Sequence, residues 1–248
     1  MTSLVGGRAN LGLRGPAFVL LTAIWPVLWY LRTHGPAWPA QFLIPSFVLL
    51  VLSTVLAWGA SPCPATTRLT KAAFAFVAAG DVFINLTPWP GGSAPAFICA
   101  HLCLAAAFLR ESRLHKKDLP LVLPPLIAAS LFARAELPLV IGAARAAVMV
   151  TYLVAVSLML WRALCSLNSG KTTKVLVRIL GAVLFFATDL FAIATVVQRA
   201  GSYVGWIWAL YPPALICLAW SSWSTRAPEM HLRRLEIISA RARRTGGR

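Results

Sequence analysis

Apolar positions in this chain form long unbroken runs, separated by short polar loops that are often basic. A helix needs about 20 apolar residues, within a range of about 17 to 25, to cross the hydrocarbon core of a bilayer. Eight runs qualify, at roughly 16–32, 40–58, 71–88, 94–110, 118–133, 138–161, 175–197 and 203–221. The fifth is short and holds Pro120, Pro124 and Pro125. Membrane helices tolerate proline where neighbours re-satisfy the freed backbone groups. A seven-span chain with that segment re-entrant is the competing count. The pattern therefore predicts an all-α, polytopic membrane protein with eight transmembrane helices. They form a single domain over residues 1–224, followed by a basic tail over 225–248.

Charge decides between the two counts. With eight spans, eighteen of the 23 lysines and arginines fall on one side, in the N-terminal segment, alternate loops and the tail. The opposite loops hold Arg32, Arg134 and Arg199. Seven spans would divide the basic loops between the two sides. Positive loops stay inside, so both termini are expected in the cytoplasm. The formal net charge of +16 is dispersed among these loops, which argues against a nucleic-acid partner. The tail suits solvent or anionic lipid headgroups.

Composition agrees with this placement. The chain of 248 residues is 59% hydrophobic, has a mean hydropathy of +0.75 and is only 12% charged, where a soluble domain carries about a quarter. The expected location is a plasma membrane, or the inner membrane of a bacterium. No clear cleavage site lies between Gly6 and Pro16, so the first run reads as a span rather than a cleaved signal. The five cysteines form no C-x-x-C pair and read as buried, reduced thiols. Nothing in the pattern indicates an oligomeric state.

Of seven acidic residues, only Asp81 and Asp189 lie inside hydrophobic runs. A carboxyl at that depth costs several kcal/mol, so it marks a candidate functional site. At about 1.5 Å per residue, Asp81 lies roughly 15 Å and Asp189 roughly 22 Å from the cytoplasmic ends of their runs. His101 and Arg145 come back from the other side by roughly 10 and 12 Å. All four are expected in one cavity, with Arg145 as a counter-ion or phosphate ligand. Asn85, one turn beyond Asp81, and Tyr152, two turns beyond Arg145, add polar groups on the same faces. Gly80 allows a close approach beside Asp81. Asp81-Val-Phe and Asp189-Leu-Phe also form a faint internal repeat, four spans apart. Arg178 is expected to snorkel to the interface, and His115 with Asp118 to be solvated. There is no G-x-S-x-G elbow, metal motif or phosphate-binding glycine loop, so no metal or other cofactor is expected.

Four stretches in order carry a resemblance: Gly80-Asp81-Val-Phe, then Phe97-Ile-Cys-Ala-His101-Leu, then the run from Val150 to Ala163 containing Tyr152, then Gly181 to Asp189. Over roughly residues 70 to 220 the chain resembles the YhhN-like family, whose characterised animal members are lysoplasmalogenases. The resemblance implies an eight-helix hydrolase that cleaves the vinyl-ether bond of a lysoplasmalogen, a lysophospholipid. The products would be a fatty aldehyde and glycerophospho-choline or -ethanolamine. The family's two functional aspartates match Asp81 and Asp189. Where the family often has Tyr, Ser and Gln, this chain has Leu104, Thr188 and the Tyr211-Pro-Pro segment. Independently of family, vinyl-ether hydrolysis passes through an oxocarbenium-like cation, which a pair of carboxyls can serve as acid and base. The residues alone leave two other readings open, a small proton-coupled transporter and a non-catalytic lipid-binding membrane protein.

Overall fold

In lipid, a backbone must satisfy every N–H and C=O within its own segment, which favours helices wherever the apolar runs lie. The computed structural model describes residues 5–34, 42, 44, 46–52, 64–86, 92–112, 114–169, 172–199 and 201–222. Among these the secondary structure is helical, with no strand. The α-helices are α1 (Val5–His34), α2 (46–52), α3 (Pro64–Leu86), α4 (Ser93–Glu111), α5 (Leu123–Glu136), α6 (Ala143–Cys165), α7 (Thr173–Gln198) and α8 (Val204–Ser222). Six described helical segments are long and apolar enough to cross a membrane: Ala65–Leu86, Ser93–Glu111, Lys116–Leu139, Ala143–Asn168, Thr173–Gln198 and Val204–Ser222. They correspond to the third through eighth expected runs. The first run falls within α1. Most of the second, and all of the tail, lie outside the described residues.

The proline-rich fifth run is built in three parts. A 3-10 helix over Lys116–Val122 leads into α5, and a second over Leu137–Leu139 follows it. Pro124 and Pro125 fall in the first turn of α5, where a missing N–H costs little. The segment thereby reaches 24 residues, the length of a span.

Around the bundle, α3 packs on α4, α4 on α6, α6 on α7, α7 on α8 and α8 on α1, with α5 against α6. Two contacts depend on glycine. A Cβ on Gly80 would lie 2.8 Å from the Phe97 ring, between α3 and α4. A Cβ on Gly181 would lie 2.9 Å from Cys217 Cβ and 3.0 Å from the Leu218 backbone nitrogen, between α7 and α8. Neither of the latter atoms can swing aside. Gly181→Ala gains about 1 kcal/mol in helix propensity, yet overpacking of this kind costs about 1–3 kcal/mol. The variant should unfold at a lower temperature than wild type in detergent; equal or higher stability would contradict so close a helix contact.

Pro212 and Pro213 lie inside α8, which runs on through them. Pro212 has no N–H for the carbonyl four residues back, that of Trp208. The freed oxygen accepts the indole N–H of Trp25 from α1 at 3.2 Å. The missing backbone bond is thus compensated by a contact that also ties α1 to α8. Large apolar residues such as Leu131, Val154 and Val196 point outward, an inversion suited to lipid rather than water.

Polar pairs tie the helices together at the end of the bundle that carries the basic loops. Arg178 is buried, pairs with Glu111, donates to Ser166 Oγ at 3.2 Å and stacks 5.0 Å from the Phe108 ring. This corrects the expectation that Arg178 snorkels: a carboxylate and an aromatic face hold its head inside. Asp118 is also fully buried rather than solvated. It accepts the His115 backbone N–H at 2.7 Å and a side-chain bond from Asn168, while its carbonyl accepts from Trp161 at 3.1 Å.

Candidate active site

The register of each helix carries one polar group to a common level. Helix α3 begins at Pro64, one to two turns before the expected start. Measured from the first residues of their helices, Asp81 and Asp189 then lie about 25 and about 24 Å along, so the expected offset of about 7 Å disappears. From the opposite end, His101, Tyr152 and Tyr211 lie about 12, 14 and 10 Å into α4, α6 and α8.

These five side chains are all buried, none more than 8% exposed. Tyr211 donates its hydroxyl to Asp81 Oδ2 at 2.5 Å. Tyr152 donates to Asp189 Oδ1 at 2.8 Å. His101 Nε2 stands 3.1 Å from Asp189 Oδ2. That last contact has the distance of an ion pair but not the alignment of a hydrogen bond. Among the described residues, both ring nitrogens of His101, and Asp189 Oδ2, therefore lack an aligned partner. Phe185 joins the two halves, with its ring centroid 4.9 Å from His101 and 5.8 Å from Tyr211. Tyr152 stands edge-on to His101 at 5.5 Å. Both phenols lie within electrostatic reach of both carboxyls.

The pairing is crossed between two helical hairpins. Asp81 on α3 is held by α8, and Asp189 on α7 contacts α4. In sequence, α3 precedes α4 as α7 precedes α8. Exchange of partners between the two hairpins is what a parallel internal repeat would produce at its interface.

Asp81, Asp189, His101 and Tyr152 are thus brought together, whereas Asn85 and Arg145 are not. The Asn85 amide donates to the Asp81 carbonyl of its own helix at 2.9 Å, so it caps backbone rather than lining the site. Arg145 is exposed, in the first turn of α6. The expectation that it enters the cavity fails because the backbone breaks just before it. Gly142 has φ +98°, and a 3-10 turn occupies Leu137–Leu139, so the helix starts later than its apolar run. Thr188 bonds back to the Leu184 carbonyl at 2.8 Å, and Leu104 packs in the core. Among the described residues, no three His, Cys, Asp or Glu side chains come together as metal ligands.

Tyr211 is the site residue that sequence reading overlooked. Its available signal was its place in mid-run, where the Tyr211-Pro-Pro segment stands in for the Gln that the resembled family often has. Tyr211→Phe removes the hydroxyl and leaves the ring. A hydrogen bond to a charged group contributes about 1.5–3 kcal/mol, so any step in which Asp81 gives up its proton and becomes a carboxylate should slow by at least about tenfold. An unchanged rate constant would show that Tyr211 only packs.

The YhhN family model matches residues 40–222. The chain belongs to the YhhN family. All five buried site residues of this YhhN protein lie within the matched segment, and α1 lies before it. No curated protein and no solved structure matches the chain. At family level, YhhN membership is associated with hydrolase activity in general.

Proposed function

We propose that the protein is an eight-span membrane hydrolase, with both termini cytoplasmic, that cleaves the vinyl-ether bond of lysoplasmalogens. The observation that carries this reading is the single buried cluster that holds both membrane-depth carboxyls, each with its own tyrosine. Family membership supports it. The difference between the two carboxyl environments supports a division of labour. Asp189 faces a hydroxyl donor and an imidazole, which suits the ionised partner. Asp81 has the Tyr211 hydroxyl on one oxygen, which leaves the other to carry a proton.

In the proposed sequence, Asp81 gives that proton to the alkene carbon distal to the ether oxygen. The π pair forms the new C–H bond and leaves an oxocarbenium ion. The Asp189 carboxylate faces this cation and takes a proton from the water that adds to its carbon. The resulting hemiacetal breaks its bond to the glycerol oxygen. Asp189 returns its proton to that oxygen, and the hemiacetal hydroxyl proton restores Asp81. The products are the fatty aldehyde and the glycerophospho-alcohol, and both carboxyls end as they began. Positioned proton transfer of this kind contributes about 10²–10⁴-fold. In this reading the His101 imidazole, beside Asp189, orients that water.

The test is aldehyde release by the purified protein in detergent, from a vinyl-ether lysolipid and from its ester counterpart. Release from the vinyl ether is expected. Activity on neither would sink this reading and leave the carrier or lipid-binding alternatives, which need a sealed vesicle to examine.

A further inference from the structure

Trp25, Trp29 and Arg32 lie on one face of α1, at spacings of four and three residues. This face meets α8 at its small residues Gly205 and Ala209. Between them opens a cleft of about 490 Å³, lined by Trp25, Pro26, Trp29, Gly205, Trp206 and Ala209. Its lining is almost wholly apolar, and Trp206 and Trp29 stand partly in the open. Such a lining suits an alkyl tail.

Two observations concern a charge beside this cleft, on the same face of α1 as Trp25 and Trp29. The Arg32 guanidinium sits over the Trp208 ring, 6.0 Å from its centroid. Its Nε is buried and has no hydrogen-bond partner among the described residues. A guanidinium nitrogen withdrawn from water without an acceptor is costly, and an oxyanion is the ligand its fork fits best. Trp208 in turn stands edge-on to Tyr211, 5.9 Å away, and Tyr211 holds Asp81. Trp208 therefore links Arg32 to the carboxyl cluster.

We propose that the α1–α8 cleft is a capture site for a single-tailed phospholipid, with Arg32 on the phosphate and the tail along Trp25, Trp29 and Trp206. The site rests on the proposed lysophospholipid substrate but does not require that it be cleaved. Trp25, Trp29 and Arg32 on α1 lie before the segment that the family model matches, whereas Gly205, Trp206 and Ala209 on α8 lie within it. The site also supplies the phosphate ligand that Arg145 is not placed to provide.

The test uses the full chain in detergent and a non-hydrolysable 1-O-alkyl lysophosphocholine with a brominated tail, read by quenching of tryptophan fluorescence. Saturable quenching is expected. Arg32→Gln should weaken it at least about tenfold, Arg32→Lys less, and Ala209→Phe, which fills the cleft, should also weaken it. The corresponding 1-O-alkylglycerol, which lacks phosphate, should bind more weakly and be indifferent to Arg32→Gln. Competition by millimolar inorganic phosphate alone, equal binding by wild type and Arg32→Gln, or loss of Arg32 dependence in variants that unfold early would each overturn the proposal. On the vinyl-ether substrate, Arg32→Gln should raise KM and leave kcat near wild type. Arg32-dependent binding without hydrolysis would leave the capture site standing and remove the catalytic reading. Hydrolysis with no Arg32 dependence would do the reverse.

Discussion

Asp81→Asn and Asp189→Asn should each lower aldehyde release by about 10²–10⁴-fold, the range expected when a positioned proton donor or acceptor is lost. Asparagine keeps the shape of each side chain, and its carbonyl can still accept the hydroxyl of Tyr211 or Tyr152. Folding should therefore survive, and thermal unfolding in detergent checks that it does. The double variant should be little slower than the worse single variant, because groups that act as a unit are strongly non-additive. Two fully additive losses would mean that the carboxyls work independently. Wild-type rates in either single variant would remove that carboxyl from the mechanism.

The largest effect on stability is expected at the other end of the bundle. Glu111→Ala leaves the buried Arg178 guanidinium with Ser166 Oγ and the Phe108 ring but without its carboxylate. Removing one member of a buried pair costs about 3–5 kcal/mol, mostly as the desolvation of the charge left behind. The Glu111 side chain is 18% exposed and also lies 3.9 Å from Lys174, so the low end, about 3 kcal/mol, is expected. For a chain of this length that is roughly a 10 °C fall in unfolding temperature. Replacing both partners, Glu111→Met with Arg178→Met, should recover much of the loss, since no unpaired charge remains. A double variant less stable than Glu111→Ala would show that the ion pair itself, and not the orphaned charge, carries the effect.

Asp81, Asp189, His101 and Tyr152 were legible in the sequence because a polar group within an apolar run must be compensated, and the cheapest compensation is another such group. Their helix directions put them within reach of one another. Tyr211 was not legible, because a tyrosine in a membrane helix is unremarkable by composition and its hydroxyl is seen to matter only when α3 is placed beside α8. Arg145 misled for a different reason. An apolar run shows where lipid is tolerated, not where a helix begins, and the turn at Gly142 moved the start of α6 toward it. The early start of α3 did the opposite for Asp81, bringing it level with Asp189. Arg178 and Asp118 were read as exposed because charge near a loop usually is. Their partners, Glu111 and Asn168, come from other loops and helix ends at the same end of the bundle, which sequence distance conceals.

Protonation at carbon is the step that the paired carboxyls are proposed to perform, and it leaves an isotopic record. Purified wild-type protein should be given a vinyl-ether lysolipid in D2O, with the aldehyde reduced at once and examined by mass spectrometry. One deuterium at the carbon next to the aldehyde carbon is the expected result, at a rate that collapses in Asp81→Asn. Aldehyde without that deuterium, or no aldehyde at all from folded protein, would contradict the proposed function of the two aspartates.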